Sequence, residues 1–161
     1  MVENHLDKKE EQHGSWLDFV ALVLAFFGAI ISVLGAFTTY SSQAQIPATQ
    51  LWPLPGLILL YWALLGLIGL LSAYLNFRQI HVIWLKVTWI ITGTFIPLII
   101  LGAFSIGLGV LIVEFLFLIS VIIMTVRQRA KWLESFGLLI LGAFCSLVLL
   151  LIMITLGNLS Y

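Results

Sequence analysis

Glu114 is the only acid that lies well inside apolar sequence, in the stretch GAFSIGLGVLIVEFLFL from Gly102 to Leu118. A carboxyl in that setting has two uses. As a protonatable site in a bundle interior it can serve proton or substrate movement, and as a protonated donor it can hold helices or subunits together. Lys86 is the obvious counter-ion, but helix rise separates the two levels by roughly 12 Å along the membrane normal. Hydroxyl partners are therefore expected instead, with Tyr61, Thr92 and Thr94 as the candidates. One acid without a second titratable group nearby favours the structural use over a proton relay.

Other chemistry is poorly served. The chain has no G-x-S-x-G elbow, no H-E-x-x-H, no P-loop and no paired intramembrane acids, so no catalytic residue is assigned and no enzyme is expected. His5 and His13, set among Glu10 and Glu11, lack a recognised ligand spacing, and His81 stands alone beside Arg78. Neither a metal site nor a cofactor is expected from them. Cys145 is the single cysteine, which rules out a disulfide within one copy.

These residues must be positioned by membrane-spanning helices. The chain has 161 residues, 62% hydrophobic and 9% charged, with a mean hydropathy of +1.18, outside the usual soluble range. A net charge of zero gives no hint of a nucleic-acid partner. From Val82 to Val126 the apolar run is 45 residues long. As one helix it would extend roughly 67 Å against about 30 Å of bilayer core, so it must fold back. The small residues Gly102, Ala103, Ser105, Gly107 and Gly109 are the natural turn. The carboxyl does not prevent insertion of the fourth span. A charge at a helix centre costs about 2.5 to 3.5 kcal/mol, and each Leu, Ile, Phe or Val returns up to about 0.3 to 0.6. Fifteen such residues lie between Ile106 and Val126.

The fold class expected is an all-α, polytopic integral membrane helix bundle with five transmembrane helices. Residues 1–15 form a cytoplasmic tail, the spans cover about 16–37, 56–75, 82–101, 106–126 and 135–157, and 158–161 form an outer tail. The acidic, polar start lacks the basic region of a signal peptide, so the first span is expected to remain in the mature protein. Ser15 and Asp18 match a capping box, which predicts that Asp18 caps the first span. Thr38 to Pro55 reads as an uncharged eighteen-residue loop, with Tyr40 and Trp52 at the headgroups. Lys8, Lys9, Arg78, Lys86, Arg127, Arg129 and Lys131 all fall on one side of a five-span chain. The positive-inside rule then puts the N-terminus in the cytoplasm and the C-terminus outside.

Ala21, Ala25, Gly28, Ser32 and Gly35 recur at steps of four, three, four and three, a seam that lets a neighbouring helix come close. The second span repeats the device with Ala63, Gly66, Gly69 or Leu70, and Ala73. The tetrapeptide LGAF occurs at Leu34 to Phe37, Leu101 to Phe104 and Leu141 to Phe144, which reads as a shared packing solution rather than a duplicated half. Five spans and six tryptophans make the chain similar in size and count to the tryptophan-rich sensory protein and translocator family. Leu51, Trp52, Pro53, Leu54 and Pro55 do not reproduce that family's motifs, and no site is carried over.

Together these features predict a small accessory or scaffold subunit in the plasma membrane of a bacterium. Its partners would be the lipid bilayer and other membrane proteins or itself. The alternative is a small transporter or lipophilic-ligand binder using Glu114.

Overall fold

A computed structural model describes residues 3–45, 54–79, 82–102 and 107–159. They form five helices: α1 (Glu3–Ala44), α2 (Leu54–Gln79), α3 (Val82–Gly102), α4 (Gly107–Arg127) and α5 (Trp132–Leu159). No strand occurs among the described residues. Each helix is long and apolar enough to cross a membrane. This is the form hydrocarbon imposes, because without water every backbone amide and carbonyl must find its partner within its own segment. α3 and α4, of 21 residues each, rise about 31 Å, close to the roughly 30 Å of a bilayer core.

α1 is longer, at 42 residues, and only Trp16–Ala44 of it is apolar. Its continuity corrects two expectations. Since the chain is already helical from Glu3, amides near Asp18 bond to carbonyls one turn back and no cap is needed. The Asp18 carboxylate, 6% exposed, instead forms an ion pair with Arg127 at the end of α4. The eighteen-residue loop is also shorter than expected, because α1 continues to Ala44 and α2 begins at Leu54. Thr38 and Thr39 donate to the Gly35 carbonyl at 3.1 and 2.8 Å, and Ser41 donates to that of Thr38 at 2.9 Å. Hydroxyls that read as loop are thus satisfied inside the helix. Trp52 and Pro53 lie outside the described residues.

α1 packs on α2 and α4, and α3 packs on the other sides of the same two, which closes a four-helix ring. Consecutive members of the ring are antiparallel. α5 leans on the outside of α3, parallel to it, and touches α2 only lightly. Large side chains fill the interior, with Trp62, Trp89, Phe95 and Phe117 all fully buried. The Phe95 and Phe117 rings stack at 5.6 Å across α3 and α4.

Small residues set how closely the helices approach. The α1 seam receives two neighbours: Ala21, Ala25, Gly28 and Ser32 are buried, Gly28 lies against Phe117 of α4, and Gly35 lies against the Trp62 ring of α2. At the α3–α5 crossing the contact is between backbones. A methyl added at Gly93 would overlap the Leu139 carbonyl, and one at Gly142 would overlap that of Ile90. The two LGAF copies at Leu34 and Leu141 use the tetrapeptide alike. The glycine meets the neighbouring helix, while Leu34, Phe37, Leu141 and Phe144 point outward and are exposed. Ala103 and Phe104 of the remaining copy lie outside the described residues.

Candidate functional site

Glu114 lies seven residues into α4, about 10 Å along it. Val121 and Thr125, seven and four residues further on in turn, share its helical face. That face meets α3, since Thr125 Oγ1 accepts the indole N–H of Trp89 at 2.8 Å. Glu114 is 9% exposed, and its Oε2 is buried with no hydrogen-bond partner. An oxygen in that state has lost its water and gained nothing in return, which costs about 1 to 3 kcal/mol or more.

The three hydroxyls expected to meet it are engaged elsewhere. Thr92 donates to the Thr88 carbonyl at 2.9 Å and Thr94 to that of Ile91 at 2.6 Å. Both are the one-turn-back bonds that threonine makes when no water competes. Tyr61 donates to Ser146 Oγ at 3.1 Å, and Ser146 donates to the Thr94 carbonyl at 2.8 Å. Tyr61 and Thr94 therefore belong to one polar bridge from α2 through α5 to α3, separate from Glu114. Ser146 is the residue that sequence reading missed. The available signal was its place four residues after Gly142, on the single face by which α5 docks.

Two further polar atoms share the condition of Glu114. Among the described residues, the buried side-chain nitrogens and oxygens without a partner are Trp62 Nε1, Glu114 Oε2 and Gln128 Oε1. The Trp62 ring sits against Gly35 and, across from it, Gly109 of α4. Glu114 is five residues beyond Gly109, about 7.5 Å along the same helix. An orphan donor and an orphan acceptor thus occupy the same half of the bundle. Neither composition nor spacing marks Trp62, because its role depends on which helices surround it.

Lys86 is exposed and lines a cavity at the opposite end of α3 with Arg129, Lys131 and Glu134, so it forms no pair with Glu114. Among the described residues no group of three His, Cys, Asp or Glu could hold a metal ion. The side chains of His5 and His13, and the whole of His81, lie outside the described residues. A larger cavity, of about 520 Å³, lies between α1 and α2 and is lined by Leu22, Val23, Phe26, Leu67, Leu70, Leu71 and Tyr74, with no residue from α4. No family model, curated protein or solved structure matches the chain.

Proposed function

We propose that this multi-pass membrane protein is a non-catalytic accessory or scaffold subunit that works through helix contacts, in a bacterial plasma membrane with its N-terminus cytoplasmic. The observation that carries the reading is how three of its buried serines are used. Ser32 donates to the Trp62 carbonyl at 2.7 Å, Ser120 to that of Ala21 at 2.7 Å and Ser146 to that of Thr94 at 2.8 Å. Each ties one helix to another, joining α1 to α2, α4 to α1 and α5 to α3. Polar groups used this way hold a bundle in one arrangement. Among the described residues only Trp62 Nε1, Glu114 Oε2 and Gln128 Oε1 are buried side-chain atoms left without a partner, too few to line a path for an ion or substrate. The interior they would have to line is filled by Trp62, Phe95 and Phe117.

The unpartnered Oε2 of Glu114 supports a second reading, a small transporter or lipophilic-ligand binder with this carboxyl as its protonatable site. Gentle extraction of the full chain into nanodiscs, followed by mass spectrometry of what accompanies it, separates the two. The first reading expects reproducible co-purifying membrane proteins or a defined homo-oligomer, in the wild type and in Glu114→Gln alike. A lone monomer carrying a small molecule that Glu114→Gln abolishes would refute it in favour of the second.

A further inference from the structure

The turn between α4 and α5 is built as a helix C-cap around the wrong residue for the task. Ala130 N–H bonds to the Thr125 carbonyl at 3.2 Å and Arg129 N–H to that of Val126 at 3.3 Å. This is the paired pattern in which the intervening residue takes the left-handed conformation and is usually glycine. Here that residue is Arg129, at φ 48°. A residue with a Cβ pays roughly 1 to 2 kcal/mol for that conformation. A guanidinium kept there at that cost calls for a use.

Arg129 lines a cavity of about 270 Å³ formed by the first turns of α3 and α5 and the turn after α4. Lys86 comes to its rim from α3 and Lys131 from the residue just before α5, so three cations surround one space. The one acid there, Glu134, already lies 3.6 Å from Lys131. The N-termini of α3 and α5 add positive field at the cavity, and the C-terminus of α4 opposes it, so the attraction rests on the three side chains. Below the rim the lining turns apolar, with Leu85, Trp89 and Leu138. Gln128 also lines the cavity: its Nε2 donates to Asn76 at 2.8 Å, while its Oε1 is buried without a donor.

The geometry points to a binding site for the phosphate of an anionic lipid headgroup, held by Lys86, Arg129 and Lys131 around the cavity. The cations meet the phosphate, and Val82, exposed on the apolar side of the lining, meets the start of the acyl chains. A free phosphate satisfies only the first of these. The site is independent of the scaffold reading and would serve either function.

Phosphatidylglycerol is the probe, titrated into the purified full chain in neutral detergent, with the rise in thermal midpoint as readout. Phosphatidylcholine and inorganic phosphate are run beside it. The wild type is expected to respond to phosphatidylglycerol well beyond either control. Arg129→Gly is the informative variant, because it relieves the turn. Its midpoint without lipid should rise, while its affinity for phosphatidylglycerol falls about fivefold, and about 25-fold when Lys86→Gln is added. Arg78→Gln, a charge lost at the same end but outside the cavity, should leave the affinity unchanged. Equal losses in Arg78→Gln and Arg129→Gly would overturn the site in favour of diffuse attraction to an anionic surface. A response to inorganic phosphate as large as that to phosphatidylglycerol would overturn the lipid assignment.

Discussion

Replacing Gly142 by alanine should loosen α5 from the ring. The added methyl would overlap the Ile90 carbonyl, which belongs to a helix backbone and cannot rotate away. Carbon and carbonyl oxygen meet comfortably near 3.3 Å, so α3 and α5 must part by roughly 1 Å. At that separation the 2.8 Å bond from Ser146 to the Thr94 carbonyl stretches past hydrogen-bond range. Overpacking costs about 1 to 3 kcal/mol, and a lost bond between membrane helices adds about 0.6. Alanine's better helix propensity returns up to about 1. The net expectation is a loss of about 1 to 3 kcal/mol, measured by denaturation with sodium dodecyl sulfate in mixed micelles. Tryptophan emission is a suitable signal because the Trp89 ring lies 6.0 Å from that of Phe136 on α5. Gly137→Ala is the internal control: nothing lies within 4 Å of its new methyl, so it should be neutral or slightly stabilising. Equal stability of the two variants would refute the argument that backbone contact at Gly142 holds α5.

Asp18→Asn should cost about 2 kcal/mol, less than the 3 to 5 of a fully buried pair because the Arg127 side chain is a quarter exposed; the same denaturation assay measures it, and a charge-reversed pair at the two positions should recover part of the loss. Glu114→Leu should stabilise the bundle by about 1 to 3 kcal/mol by removing an oxygen that has no partner, whereas destabilisation would mean that the carboxyl is an essential interhelical donor. Ser32→Ala should cost only about 0.6 kcal/mol for its bond to the Trp62 carbonyl. Gly66→Ala should cost more than Ser32→Ala, since its methyl would displace the Ser32 side chain itself.

The five helices were legible because hydrocarbon solvation acts on each segment separately. Twenty apolar residues must be helical whatever their neighbours, so a run such as Val82 to Val126 announces both its helices and the need for a break. Polar ends were less legible. Thr38 to Ser41 read as loop because hydroxyls favour turns in water, and they stayed helical by bonding one turn back. Asp18 matched a capping motif for the same local reason, and its true partner, Arg127, lies 109 residues away on another helix.

By itself the sequence determined the class, the number of helices and the gathering of basic charge at one end, all of which follow from hydrophobicity summed along short segments. Only the tertiary structure decided which helix meets which. That choice rests on shape at single positions: Gly93 and Gly142 admit a backbone, and Gly35 admits an indole. The partners of Glu114 belong to the same category. Tyr61, Thr92 and Thr94 stood at plausible depths, but depth is only one coordinate, and rotation about each helix axis turned all three toward other acceptors. An amphipathic stripe would have revealed that rotation in a soluble protein. In a membrane, lipid and core are both apolar, so the stripe that would orient each helix is nearly erased, and packing alone sets it.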